Sequence, residues 1–383
     1  MLKVAVGHSN DPDSESAIDI VVEQCRSSLE GVAPKAGILF ASSDFDLEVL
    51  LQRIHQTWDN LELIGCSTNG EISSVMAFQQ DSAMLVLFCG DTVEIAAGVG
   101  RNVSKDPVAA TREAIDKARS KLNSRDPKLC LVTPESLTTS GVSIIDGLSR
   151  ELGENFPIFG GAAGNASNQA QTFQFFNTEV LSDAVPVLLF AGNIHFSHGI
   201  ACGWNPLGNQ SRVTRSQKNR VETIDDRPAI DFYEYYLGTR THSVEYPIAI
   251  FEADGNFYLR APQSWDEEDG SITFFADVPE NATIQITEAS RDNILAAAEE
   301  SLDRALESYP GEQPEAALFF TCAFRKYILG TRTKEEYELV RDRFTQSLPS
   351  GGFYTNGEIS PIAPGTPTRF HNETFVTLLL GSQ

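Results

Sequence analysis

Long apolar runs are missing from this chain. In its 383 residues no stretch approaches the ~20 consecutive apolar residues of a membrane-spanning helix. The N-terminus enters Val4-Ala5-Val6 without the basic flank and apolar segment of a secretion signal. A cytoplasmic, membrane-free protein is the expectation. Cysteine is sparse and scattered: Cys25, Cys66, Cys89, Cys130, Cys202 and Cys322 fall mostly inside apolar runs, which reads as reduced thiols and not as a disulfide framework. Basic residues are few, 29 Lys and Arg against 53 Asp and Glu, and the formal net charge of -24 repels a phosphate backbone or an anionic membrane surface. Nucleic acid is excluded as a partner on that ground. Neither zinc-spaced Cys/His clusters nor the Cys-x-x-Cys-His of covalent haem attachment occurs. Gly98-Val99-Gly100 and the segment 160–165 are glycine-rich, but neither continues into a phosphate-cradling loop.

What the chain does contain is a repeat. Thr68-Asn69-Gly70-Glu71-Ile72-Ser73 returns as Thr355-Asn356-Gly357-Glu358-Ile359-Ser360, and each copy has a glycine five residues before its own, Gly65 and Gly352. Asn-Gly tolerates the positive φ of a tight reversal, so each copy is predicted to be a turn at a strand end that aims a Thr, an Asn and a Glu at a common target.

Around these turns the order strand, helix, strand, helix, strand, turn, strand recurs three times, over about 3–89, 93–191 and 283–380. Helix starts are marked by Asp11-Pro12 and Asp106-Pro107, and by a capping-box spacing of Thr333 and Glu336. The middle copy carries Gly160-Gly161-Ala162-Ala163-Gly164-Asn165 in place of the hexapeptide, a turn one residue shorter without the acid. Residues 195–282 differ, with glycine turns, alternating strands and many aromatics. The expected fold is α/β: layered repeats of a β-α-β-α-β-β unit in three copies, with a β-rich insertion between the second and third.

Several stretches together resemble the FIST family of sensory domains. They are 64–72, Gly203-Trp204-Asn205-Pro206-Leu207-Gly208, 228–238, 256–260, 320–325, 352–359 and 372–380, in order over nearly the whole chain. The resemblance implies an N-terminal domain over 1–220, holding two repeats, and a C-terminal domain over 221–383. It also implies a ligand-sensing input to intracellular signalling, acting on a histidine kinase or a cyclic-diguanylate enzyme. Stand-alone members of similar layout are associated with haem and nitric oxide, so haem b with nitric oxide is the first ligand expected. An amino acid or other small carboxylate is the second.

Candidate residues follow from chemistry. Cys66, Thr68, Asn69, Glu71, Thr355, Asn356 and Glu358 would build a polar pocket if the two turns meet; the alternative is that each Glu merely caps its own turn. Arg260 and Arg325, at predicted strand ends, have the fork that clamps a carboxylate. Cys66 and Cys322 sit where a nucleophile would be placed, but no histidine lies near either in sequence, so a non-enzymatic role is expected and a cysteine-dependent enzyme is the alternative. His195 and His198 would point to opposite faces of a strand, which argues against a shared metal. For haem iron one neutral imidazole suffices, and His198 is the leading axial candidate with His242 second. A homodimer is expected only from the general frequency of two-fold assemblies.

Overall fold

A computed structural model describes residues 2–124, 126–168, 170–238, 243–253, 255–344 and 347–382. The opening strand of the first unit, Lys3–Ser9, lies antiparallel to its closing strand, Ala83–Cys89. Ala36–Ala41 pairs with the closing strand on one side and, in parallel, with Glu62–Ser67 on the other. The helix Ser14–Leu29 buries the stripe Ile18, Val21, Val22, Cys25 and Leu29 against this sheet. Its cap is Asp13, which accepts from the Ser16 N–H, two residues past the Asp11-Pro12 start expected from sequence. Asp106 and Pro107 do occupy the cap and first turn of Pro107–Lys121.

The second unit repeats this with Val93–Arg101, Pro127–Val132, Ile158–Gly161 and Ala184–Gly192. The third uses Ile194–Ala201, Ala316–Cys322, Ser350–Thr355 and Phe375–Ser382. One boundary therefore moves. Thr283–Glu288 does not open the third unit: it pairs with Asn205–Gln217 and Ile248–Phe251 inside the β-rich segment. The opening strand is Ile194–Ala201, and the insertion interrupts the third unit after that strand, before the helix Arg291–Glu307.

A glycine confirms the equivalence of the three opening strands. Gly7, Gly98 and Gly199 pair with Leu85, Val187 and Thr377 of the closing strands. A Cβ there would lie 2.2, 2.0 and 1.9 Å from the carbonyls of Val21, Ala114 and Ser301, so only glycine lets each first helix seat on its strand.

The units are interlocked by exchanged hairpins. The hairpin Glu71–Ser73/Ala77–Gln79 of unit one pairs with Ser350–Thr355 of unit three. That of unit three, Glu358–Pro361/Thr368–His371, pairs with Ile158–Gly161 of unit two. The hairpin of unit two, Gln174–Phe176/Glu179–Leu181, returns to Glu62–Ser67 of unit one and closes the cycle. The three sheets turn one face to a shared core in which Val6, Phe40 and Phe88 meet Leu131, Phe159 and Phe190 and also Phe320, Phe353 and Leu378. The opposite faces are covered by the helices. The insertion has its own sheet and its own core, built on Val213, Tyr233, Ile250 and Ile284.

Candidate functional site: the turn ring and the cleft beside it

The repeated turns do meet, as a ring. The Asn69 N–H donates to the Tyr354 carbonyl at 3.0 Å, the Asn356 N–H to Ala162 at 3.1 Å and the Gly164 N–H to Ser67 at 2.8 Å. Each bond joins one unit to the next. The Asn69 amide also donates to Asn356 Oδ1 at 2.9 Å, and Asn356 Nδ2 to Ser136 Oγ at 3.1 Å. A side chain on Gly164 would collide with the Asn69 amide, which explains why the middle turn has glycine where the others have asparagine.

The acids of the turns are buried within this ring. Glu358 accepts from Thr355 Oγ1 at 2.9 Å and from the N–H and hydroxyl of Thr374 at 3.0 and 2.9 Å. Glu71 accepts from Thr68 and Ser82, and Ser82 is linked to His8 Nε2, whose other nitrogen meets Ser73 Oγ at 2.7 Å. Burial pushes both carboxyls up to about 7 against these hydrogen bonds. The middle unit has not lost its polar group, contrary to the sequence expectation. Gln174 takes the place of the acid at the equivalent register, and its Oε1 accepts from the Ala184 N–H at 3.2 Å. The loop leading to it is longer than in the other copies, which hides the match in sequence.

Both arginines proposed as carboxylate clamps are engaged by the protein itself. Arg325 is fully buried, donating to Glu336 from Nε at 2.9 Å and Nη2 at 2.6 Å, with further bonds to the carbonyls of Cys202 and Ile294. Glu336 is thereby drawn inward, where Tyr354 also donates to it, and does not cap the helix Thr333–Arg341. Arg260 joins the insertion to the third unit: it donates to the carbonyls of Asp277, Leu259 and Phe370 and lies over the Tyr258 ring. Cys66 and Cys322 are buried, and burial first, then a neighbouring Glu, holds both thiols well above their usual range. Such thiols are poor nucleophiles.

His198 stands in the shared core where the other units have Val6 and Ala97. Its ring lies 5.0 Å from that of Phe159, Nε2 has no hydrogen-bond partner among the described residues, and burial lowers its pKa to about 4. The second candidate, His242, lies outside the described residues.

The insertion opens a cleft of about 440 Å3 where it leaves the third unit. One wall is the junction Ile200–Asn205, with Gly203 packed on Asn293 at the start of the helix Arg291–Glu307. A second wall is the hairpin residues 255–259, and Glu300 and Arg304 lie along the helix. His371 and Thr374 line it from the third unit, with Glu373 between them in sequence. Asp81, Asp183 and Glu373 hold the same place before each closing strand, with φ of 56°, 54° and 61°. In unit two Asp183 accepts from the Ser104 N–H and hydroxyl, both at 2.7 Å. In unit three the insertion replaces the loop that carries such a partner. Glu373 is left fully buried with neither side-chain oxygen bonded among the described residues, and burial, then Glu358, raises its carboxyl far above the usual range.

Sequence reasoning missed His371, Glu373, Thr374, Glu300 and Arg304. The signal available for Glu373 was its alignment with Asp81 and Asp183; the others become neighbours only through the corrected place of the insertion.

Residues 35–227 match the FIST N domain and residues 229–361 the FIST C domain. An uncharacterized protein of Methanocaldococcus jannaschii, MJ1623, is 26% identical over 303 residues, covering 74% of this chain and 57% of that one. The chain thus spans somewhat over half of that relative. An uncharacterized protein of Mycobacterium bovis, Mb0898c, is 23% identical over 384 residues, covering 94% and 95%. Among solved structures, a cyanuric acid hydrolase from A. caulinodans aligns over 100% of both chains at 8% identity and a TM-score of 0.40.

Proposed function

Because the chain belongs to the FIST family, with both its N domain and its C domain, we propose that it is a non-enzymatic sensor whose small-molecule site is the cleft between the insertion and the third unit. FIST domains are associated with sensory signal transduction, and no helix among the described residues is long and apolar enough to cross a membrane. The observation that carries the reading is the clustering of unpartnered polar atoms. Of the seven such buried side-chain atoms among the described residues, four belong to His198, Ser360 and Glu373. None of the three lines the cleft, but each adjoins a residue that does: His198 lies two residues before Ile200 on one strand, the Ser360 carbonyl accepts from His371, and Glu373 precedes Thr374. Buried polar atoms are normally satisfied, and exceptions gather at functional sites. Occupancy would fix the insertion against the third unit and change the affinity for a separate signalling protein, such as a histidine kinase or a cyclic-diguanylate enzyme. The small-carboxylate reading loses its support in Arg260 and Arg325, since neither guanidinium faces the cleft.

The test is a thermal-shift screen of small polar metabolites, repeated on Thr374→Val and Arg304→Ala. A true ligand at a hundred times its dissociation constant adds about 2.7 kcal/mol. Stabilisation that survives both substitutions would place the site elsewhere.

A second reading, haem b sensing nitric oxide, is favoured by one atom. Nε2 of His198 is neutral and unpartnered, and the Pro361 carbonyl accepts a hydrogen bond from the same ring, the support an iron-bound imidazole needs. The packing does not fit: His198 is 5% exposed, packed at a tilt against Phe159 in the core shared by three sheets, and does not line the cleft. A macrocycle there would have to part those sheets. An absorption spectrum of the protein titrated with haem, beside His198→Ala, decides it: a stoichiometric Soret band lost in the variant would restore this reading.

A further inference from the structure

We propose that the cleft takes a small organic cation, a quaternary ammonium or guanidinium group held by an aromatic face and by carboxylate and imidazole acceptors. This rests on the cleft being the ligand site, as argued above. Trp204 and Phe257 line it. The Trp204 ring is 2% exposed and packs among Ala249, Leu259, Ile294 and Leu295, with its indole N–H donated to the Glu245 carbonyl at 3.0 Å, so the aromatic face left to the cleft is that of the half-buried Phe257. Cations bind such faces within about 6 Å of the ring centre. The adjoining Tyr258 shows the same chemistry at work within the fold, with the guanidinium groups of Arg260 and Arg369 at 4.5 and 5.3 Å from its ring centre.

Two of the polar groups of the lining are acceptors. His371 is held by the Ser360 carbonyl at 2.9 Å from Nε2, and a carbonyl can only accept, so Nε2 carries the proton and Nδ1 keeps a lone pair. Glu300 presents a half-exposed carboxylate at the rim, of which Oε1 is engaged by Arg304. The one cation of the lining, Arg304, is neutralised in place by Glu300 at 2.5 Å and by the Ile200 carbonyl at 2.6 Å. A ligand carboxylate or phosphate would find no free positive group among these, and would approach a chain of net charge -24.

The experiment is isothermal titration of the full chain at about 0.15 M ionic strength with choline and with methylguanidinium chloride. The neutral isostere 3,3-dimethyl-1-butanol, glycine and sodium acetate serve as comparators. Saturable binding of a cation, at least tenfold tighter than the neutral isostere, is expected. Phe257→Leu, which keeps the apolar volume but removes the ring, and Glu300→Gln should each weaken it at least fivefold while the melting temperature without ligand stays within about 3 °C. Cation binding unchanged in both variants would mean counterion attraction to an acidic surface and would overturn the proposal. So would preference for the alcohol, glycine or acetate, which leaves the cleft standing as a ligand site. If no probe binds, the cation proposal fails, and the metabolite screen then decides separately whether the sensor reading falls with it.

Discussion

Glutamine at position 174 is a natural experiment on the two buried acids. It occupies the register of Glu71 and Glu358 and accepts the same closing-strand N–H that Glu358 receives from Thr374. An amide is therefore tolerated, and the acids bring a proton-linked cost that the amide avoids. With folded pKa values of about 7 against 4.5 in the unfolded chain, the native state binds more protons than the unfolded state between those limits. Stability from these groups is present below about 4.5 and is lost as pH rises through 7. The double variant Glu71→Gln/Glu358→Gln should then lose distinctly less stability between pH 5 and pH 8 than the parent chain in urea titrations. Parallel losses would show that the carboxyls are already charged in the fold. The glycines give a second residue-scale expectation. Gly199→Ala drives a methyl into the Ser301 carbonyl and should cost about 3 kcal/mol. Gly31→Ala, at φ 86° with nothing within 4 Å, should cost only about 1–2 kcal/mol.

At the scale of elements, the buried pair Arg325 and Glu336 ties the short helix Ala323–Leu329 to Thr333–Arg341 and to the insertion junction at Cys202. Removing one partner strands a charge: Arg325→Met alone should cost about 3–5 kcal/mol, and Arg325→Met/Glu336→Leu distinctly less. A double-mutant cycle by chemical denaturation reads the difference; additive losses would mean that the pair is not coupled. The same elements show what was legible in advance. The unit order, the paired turns and the Asp106-Pro107 helix start follow local rules of spacing and turn chemistry, and these are visible in sequence. Glu336 at capping-box spacing was misleading because Arg325 competes for it from across the fold. The exchanged hairpins were not legible, since nothing in Glu71–Ser73 says that its partner strand begins at Ser350. Nor was the start of unit three: Ile194–Ala201 follows Ala184–Gly192 so closely that it reads as part of a hairpin, whereas Thr283–Glu288 directly precedes an amphipathic helix, as an opening strand should.

For the whole molecule, the cycle of hairpins and the insertion have opposite consequences for dissection. A single unit cut from the chain leaves one sheet short of its exchanged hairpin and sends its own hairpin to a sheet that is absent, so residues 1–92 alone should show no cooperative unfolding. The insertion should be separable. The strands of its sheet pair only with one another, and its two ends meet at Gly203, which packs on Asn293. The other units cross the same gap with short loops, between Ser9 and Ser14 and between Arg101 and Pro107. Replacing residues 204–289 by a loop of about four polar residues should therefore leave a cooperatively folding three-unit core. It should melt at lower temperature, because Ile294, Leu295 and Leu329 lose the cover of Trp204, Ala249 and Leu259. The cleft loses its hairpin wall and the Trp204–Asn205 end of its junction wall in that protein, and every ligand that stabilises the full chain should cease to do so. Circular dichroism on heating, with and without the hits of the metabolite screen, reads both outcomes at once. A truncated core that unfolds cooperatively and still responds to ligand would move the binding site into the three-unit core, where His198 is a buried polar residue whose counterparts, Val6 and Ala97, are apolar.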